Sequence, residues 1–501
     1  MRKYIFFTNA IHLIGGGQLY VAGKAKYLES IGWQVYMIHN DPGYGESEVP
    51  FLTKYICDFG FPENMRLPYK TEPQKREEVL NRMISLLHID NHIQNEIIIE
   101  SYTSVFAMWA ELLAEKIGAR HFFVAVEEMF REKDIQFYGD NLDFFYFKYK
   151  RNEIISDELR LNKLFNGYRN GEHFKAPFPP DFHHCMEIDA VQDVYYPHLN
   201  EISKSGYDFT IAYVGRTEKN YFLNICDGIA EFAKNHPDKQ IRFLIVGRFI
   251  VEAVFDKMHT ILKNGSNIHI WELGNLVPIP RSLFKYIDVV CAGSGSALFS
   301  AHENVPVILA ITDSNKAHGV LYYDTSDALF AKDSRCQTTY ADALEKVLIR
   351  REYANRKPSF PDLKPADWYY ERVVNFQLSN SEPFEYFTER FKEDLQKPWV
   401  ALFPFSKVER GSKVVFYGYT PICQDYLNQI KDYCEVVAIV SNDHDQYDMT
   451  VLPPEKLVEL EYDWVIISEI PLLEVLRAAI DRIIQITGKA NILSEFYPVF
   501  A

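Results

Sequence analysis

A chain of 501 residues is too long for one ordinary hydrophobic core, so two or three domains are expected. Hydrophobic residues make up 47% and charged residues 24%, a normal globular balance, and the formal net charge of −16 argues against nucleic acid as a partner, because broad binding needs a basic surface to displace counterions. The seven cysteines are scattered with no CxxC pair and no metal spacing, which reads as reduced thiols in a cytoplasmic protein without a bound metal.

The predicted elements begin with a strand over residues 3–8. Thr8, Asn9 and His12 interrupt the apolar start, so it reads as a buried strand rather than a signal peptide. Gly15-Gly16-Gly17 makes a turn, and residues 18–30 carry helical periodicity through Leu19, Ala22, Ala25 and Leu28. Gly32 stops that helix, and residues 34–39 form the next strand. This βαβ unit belongs in a parallel sheet. Strands follow at 96–100 and 121–126, with an amphipathic helix over 103–118 between them. From 129 to 199 the pattern dissolves into aromatic and charged mixtures. There Lys148, Lys150 and Arg151 read as a solvated face or as a seat for an anionic acceptor. His183 and His184 would point to opposite faces of a strand and lack a third ligand, so no metal is expected there.

A second α/β rhythm starts near residue 207. Its strands fall at 209–214, 240–246, 267–271, 288–292 and 305–310, with helices between, and residues 367–376 and 384–395 read as further helices. After Lys397-Pro398 a third unit has strands at 412–417, 435–440 and 462–468 and a closing helix over 472–487. The fold class expected is α/β. Two facing Rossmann-like domains span 1–200 and 201–397, and a small Rossmann-like module spans 398–501. No stretch approaches the roughly 18–20 apolar residues that cross a bilayer.

Ligands of open parallel sheets sit at the carboxyl ends of the strands, so the residues just after each strand are the informative ones. Gly16 and Gly17 open a helix with bare backbone amides, where negative charge is favoured. Gly215-Arg216-Thr217-Glu218-Lys219 follows the first strand of the second domain. Its two cations, three residues apart, could converge on one point and suit a diphosphate, and cations at a helix N-terminus oppose the macrodipole and need a reason. Gly247-Arg248 ends the next strand. Gly293-Ser294-Gly295-Ser296 joins a strand to a helix and offers free amides and hydroxyls, a phosphate cradle without the Lys-Ser/Thr pair of a Walker A loop.

Gly15-Gly-Gly-Gln-Leu-Tyr20, Gly32-Trp-Gln-Val35, Val214-Gly-Arg216 with Lys219, Leu244-Ile-Val-Gly247, Leu273-Gly274 and Val305-Pro-Val-Ile308 come in an order that resembles GT-B glycosyltransferases, especially family 4. The resemblance covers roughly residues 1–395. It implies that Arg216 and Lys219 bind the donor diphosphate and stabilise the leaving nucleotide. It also places the Gly16 and Gly17 backbone against the donor, puts phosphate on Ser294, Gly295 and Ser296, and sets residues around Asn275 beside the base. Gly247 and Arg248 join that donor-binding set. The helices at 367–395 are similar to those that return across the cleft in this fold.

One departure stands. The family's paired glutamates are absent: Phe299 occupies the second position, and Gly295 stands eight residues before Glu303, which reads as a solvated helix residue. The usual carboxylate grip on ribose is missing or moved. Glu127, Glu128 and Glu100, each at a strand end, are the candidates for a catalytic base if transfer is inverting. Metal-independent transfer is implied, with no cofactor beyond the UDP-, GDP- or dTDP-sugar substrate. The function expected is transfer of a sugar to a glycan or lipid-linked acceptor in bacterial surface polysaccharide synthesis, in the cytoplasm or peripherally at the inner face of the membrane, in contact with membrane or assembly proteins. A catalytically silent GT-B partner and a nucleotide-sugar epimerase are the alternatives. The third module resembles small Rossmann-like domains of surface-polysaccharide enzymes. Its Gly418-Tyr-Thr-Pro421 departs from GxGxxG, so an assembly or docking role is expected there rather than dinucleotide binding.

Overall fold

The computed structural model describes residues 2–8, 16–39, 68, 71, 73–89, 96–102, 104–125, 142–165, 172–177, 190–202, 206–247, 252–263, 265, 267–311, 314–328, 337–362, 364–380, 383–396, 399–405, 407–442, 451–468, 473–488, 491–493 and 497–500. The chain packs as two compact units. The larger comprises residues 1–60, 90–110 and 117–384, and the smaller comprises 61–89, 111–116 and 385–501. The protein is α/β throughout, with its main sheets built from parallel strands.

The first sheet of the larger unit contains β1 (Arg2–Phe7), β2 (Gln34–Ile38), β3 (Glu96–Ser101), β4 (Arg120–Val124) and β5 (Ile154–Ile155), in the order β2-β1-β3-β4-β5 and all parallel. The helix Gly16–Ser30 connects β1 to β2, and Gly32 ends it as the sequence predicts. At φ +83° Gly32 takes the left-handed conformation that lets Trp33 donate back to the Leu28 carbonyl at 2.9 Å. One face of this sheet is covered by that helix and by the helix Ala366–Ser379. Tyr369, Tyr370, Val373 and Val374 share a core with Tyr4, Phe6, Ala25, Trp33 and Phe122. A Cβ on Gly23 would lie 2.3 Å from the Tyr370 hydroxyl, so the two helices meet closely at a residue without a side chain.

The stretch where the sequence pattern dissolves contains a helix, Leu142–Lys150, which the mixture of aromatics and charges hides. Lys148 and Arg151 are neither a solvated face nor an open anion seat. Both are buried and pair with the fully buried Glu153, which Arg120 also reaches at 2.7 Å, and the Arg151 guanidinium lies 4.0 Å from the Phe384 ring centre. Lys150 is exposed.

A short parallel pair joins β6 (Val191–Gln192) to β10 (Ile279–Pro280). The second main sheet contains β7 (Phe209–Val214), β8 (Ile241–Val246), β9 (Ile268–Gly274), β11 (Val289–Ala292), β12 (Val307–Ala310) and β13 (Ala317–Val320). Their order is β13-β12-β11-β7-β8-β9, parallel except for β12 with β13. The run of β8 is apolar but for Arg242 and buried along its length, as a strand covered on both faces requires. Arg242 is tolerated inside because Thr210 Oγ1 and the Ile202 carbonyl accept from its guanidinium. The chain runs outward from β7 through β8 to β9, then returns to β11 on the other side. The topological switch therefore lies between β7 and β11.

The smaller unit holds β14 (Trp399–Leu402) antiparallel to β19 (Tyr497–Phe500), and a parallel sheet of β15 (Lys413–Tyr417), β16 (Glu435–Val440), β17 (Trp464–Ile467) and β18 (Ile492–Leu493) in the order β16-β15-β17-β18. The helix Pro73–Leu86, which lies between β2 and β3 in sequence, belongs to this unit. Arg76 on it donates to the Pro68 and Leu395 carbonyls, each at 3.1 Å.

Candidate functional site

Four neighbouring strands of the second sheet, β11, β7, β8 and β9, end in or run directly into Gly293, Gly215, Gly247 and Gly274. Gly215 and Gly247 are built into one another, and Gly293 is closely packed in the adjacent turn. Gly215 has φ +149° and its amide donates to the Val246 carbonyl at 3.0 Å. A Cβ on Gly247 would stand 2.1 Å from the Gly215 carbonyl oxygen, and a Cβ on Gly293 would stand 2.5 Å from the Ala310 oxygen and 3.0 Å from the Tyr221 hydroxyl. Real Cβ atoms do not come within 2.1 or 2.5 Å of a backbone oxygen, so the backbone approaches this closely because the side chains are missing. A Cβ on Gly215 would come 3.8 Å from Ser296 Oγ. The turn carrying Arg216 thus lies beside the turn 293–296, across the switch point of the sheet.

The Arg216 turn is held from below. Tyr213, buried in β7, donates its hydroxyl to the Arg216 carbonyl at 2.7 Å, and the Lys219 amide reaches the same oxygen at 3.4 Å. Thr217 is buried, while the Arg216 side chain keeps 41% of its surface exposed. Arg216 Nε stands 3.1 Å from Glu218 Oε1, and both oxygens of Glu218 are shielded from solvent without receiving a hydrogen bond. Lys219 is partly buried in the same turn, just ahead of the helix Phe222–Asn235.

Opposite it, Ser294 opens the helix Ser294–His302 with φ +52°, a left-handed conformation unusual for a serine, and its amide donates to the Ala328 carbonyl at 3.3 Å. Gly293 gives the helix no side-chain cap, and the first bond back to Gly293 comes from Ala297 at 3.3 Å. The amides of Gly295 and Ser296 fall in the first turn, where no intrahelical carbonyl reaches them and the helix dipole favours an anion. Gly295 and Ser296 are partly exposed. A guanidinium and a turn of amides on either side of a switch point can hold an anion with several oxygens.

The other candidates are placed as follows. Asn275 is exposed and follows the edge strand β9, three strands from β11. Gly16 and Gly17 open the helix after β1. Arg248, Glu127 and Glu128, together with His183 and His184, lie outside the described residues. Glu303, expected on a solvated helix face, is instead largely buried at the C-terminal end of the helix Ser294–His302, away from the Gly293 turn, and paired with Arg281 at 2.7 Å. Burial raises its carboxyl, against the pull of Arg281. Phe299, where the resembling family has a glutamate, is partly buried against the core under β7 and β8.

Glu100 is fully buried on β3, not set at an open cleft edge. Lys24 Nζ lies 2.5 Å from it, Tyr102 donates at 2.5 Å, Gln377 at 2.9 Å, and the Tyr4 hydroxyl donates as well. Burial would raise its carboxyl, but the charge and hydrogen bond of Lys24, with the two tyrosine hydroxyls, outweigh burial and hold it below its ordinary value.

No protein-family model and no curated protein matches the chain. Among solved structures it is similar to a glycosyltransferase from Rickettsia africae, at 14% identity over 79% of this chain and 98% of that one with a TM-score of 0.43. It is similar also to the UDP-GlcNAc 2-epimerase from Neisseria meningitidis (13%, 75% and 100%, 0.42) and to a sucrose-phosphate synthase from Thermosynechococcus elongatus (11%, 76% and 96%, 0.45). The functional reading therefore rests on the residues themselves. Among the described residues no helix is long and apolar enough to cross a membrane, and no group of three or more metal-ligating side chains occurs.

The residue that sequence reasoning passed over is Glu218. Its signal was its place between the two cations of Arg216-Thr-Glu-Lys219.

The switch point of the smaller unit's sheet, between β15 and β17, differs. Thr420 Oγ1 donates to the Ser468 carbonyl and Ser468 Oγ donates to the Gly418 carbonyl at 2.6 Å, so the hydroxyls at that strand end are bonded to the chain's own backbone. Pro421 begins the helix Pro421–Ile430 there, which leaves that first helical position without an amide proton.

Proposed function

We propose that this chain transfers a glycosyl group from a nucleoside-diphosphate sugar, and that the diphosphate binds at the switch point between β7 and β11. The observation that carries the reading is the approach of Gly215 to Ser296, which sets Arg216 beside a helix start with free amides. In that arrangement Arg216 and Lys219 meet the phosphate oxygens from one side, and the amides of Gly295 and Ser296 meet them from the other. Charge that grows on the leaving diphosphate is stabilised by groups already in place, so no metal ion is required for that task. On this reading residues 201–397 form the donor domain, residues 1–200 form the acceptor side with Gly16 and Gly17 near the donor, and residues 398–501 act as an accessory module. The acceptor is a glycan or a lipid-linked sugar of a bacterial surface polysaccharide, and Glu127 or Glu128 serves as the base if transfer is inverting.

Calorimetric titration with UDP, GDP and dTDP tests the reading. Binding of one of them, weakened by Arg216→Ala, is the expected result, and silence towards all three points to an inactive partner. Incubation of the matching donor sugar without acceptor distinguishes the remaining alternative, since interconversion of the sugar would identify an epimerase.

A further inference from the structure

We infer that Glu218 is a positioning residue for Arg216, holding the guanidinium by its inner nitrogen so that the two outer nitrogens are left for the diphosphate. This rests on the reading that Arg216 grips that group. Arg216 Nε stands 3.1 Å from Glu218 Oε1, and among the described residues no second side chain bonds the outer nitrogens. The Glu218 side chain is 14% exposed against 41% for Arg216, so the carboxylate is the more enclosed partner of the pair.

The state of the carboxylate supports the same role. Both of its oxygens are shielded from water, and its contact with Arg216 Nε is an ion pair at 3.1 Å rather than a hydrogen bond. A shielded carboxylate without a hydrogen bond is costly to keep even beside a cation, and a neutral residue of the same size would be less so. Its negative charge also stands beside the place where an anion is to bind, which taken alone weakens binding. What offsets both costs is restraint of the arginine. A free arginine has many rotamers to lose when its fork meets a phosphate, whereas one paired at Nε has fewer left to lose.

This makes the sign of the effect diagnostic. A carboxylate that merely repels the ligand predicts tighter binding when it is removed, and a carboxylate that positions Arg216 predicts weaker binding. The experiment measures, by calorimetry on the full chain, the affinity for whichever of UDP, GDP and dTDP the wild type binds most tightly, with the corresponding nucleoside as control. Glu218→Ala is expected to weaken the diphosphate about three- to tenfold and leave the nucleoside unchanged. Glu218→Gln, which keeps an oxygen for Nε and the same volume, falls between wild type and Glu218→Ala. In an Arg216→Ala background, Glu218→Ala adds nothing further.

Unchanged or tighter diphosphate binding in Glu218→Ala overturns the inference, as does a loss that persists without Arg216. An equal loss for the nucleoside overturns it too, because that marks general damage to the domain. If Arg216→Ala weakens binding and Glu218→Ala does not, this inference alone fails. If the wild type binds none of the three nucleotides, the donor reading fails and takes this inference with it.

Discussion

The carbonyl oxygen of Gly215 occupies the place where a side chain on Gly247 would begin, 2.1 Å from the missing Cβ. The two glycines end neighbouring parallel strands, so the backbone of one turn is seated on the backbone of the next. Gly247→Ala must therefore displace the Gly215-Arg216 turn. We expect a cost of about 1–3 kcal/mol in urea unfolding, the range for overpacking a close-packed site. Nucleotide affinity measured on the folded fraction should fall as well, and unchanged affinity would show that the turn does not form the site.

Arg216 should not be replaceable by lysine. A planar fork that serves two oxygens at once loses that geometry when it becomes a single ammonium. Hydrogen bonds to charged groups contribute about 1.5–3 kcal/mol, so Arg216→Ala is expected to weaken UDP, GDP or dTDP binding by roughly 10- to 100-fold. Arg216→Lys should recover only part of this, and full recovery would reduce the contact to simple charge attraction. The measurement is a calorimetric titration of each variant at fixed ionic strength.

Lys24 and Glu100 form an ion pair with no exposed surface on either side chain, and Gln377 from the helix Ala366–Ser379 bonds the same carboxylate. Glu100→Gln leaves the Lys24 ammonium buried without its counter-charge, and breaking such a pair costs about 3–5 kcal/mol. The pH dependence follows from the direction of the shift. The Glu100 carboxyl lies below its ordinary 4.5 in the folded state, so the unfolded chain takes up that proton first on acidification. The stabilisation is complete above that ordinary value and is lost as pH falls through the lower folded value. Urea titrations of wild type and Glu100→Gln should diverge at pH 7 and converge in strong acid. A constant gap at every pH would mean that the pair's charge contributes nothing.

Ser294 sits at φ +52°, where a branched side chain is most strained. Ser294→Gly removes the local strain but adds freedom to the unfolded chain, so its net change should stay within about 1 kcal/mol. Ser294→Val should cost about 1–3 kcal/mol, because a β-branched residue is forced into the left-handed region. Thermal unfolding of both variants checks this, and a stable valine variant would indicate that the turn relaxes.

The main strands and the helices that join them were legible in the sequence because their signal is local. The β8 run, apolar but for Arg242, the periodicity of residues 18–30 and the stop at Gly32 each act within a few residues of chain. The helix Leu142–Lys150 was missed because Lys148 sits inside it, and a buried lysine breaks the expected period unless its partner is known. That partner, Glu153, declares itself only in three dimensions. Glu303 shows the same limit, since nothing near it in sequence announces Arg281.

By itself the sequence determined which strand ends carry glycine, cations and small hydroxyls, since these are properties of single turns. Only the tertiary structure decided that the turns at 215 and 293 are neighbours, because strand order is set by packing across the whole sheet and residues far apart in the chain end up a few ångströms apart. It alone decided, too, that Glu100 is enclosed by four donors. Burial depends on what covers a residue, and the helix that covers this one arrives more than two hundred residues later.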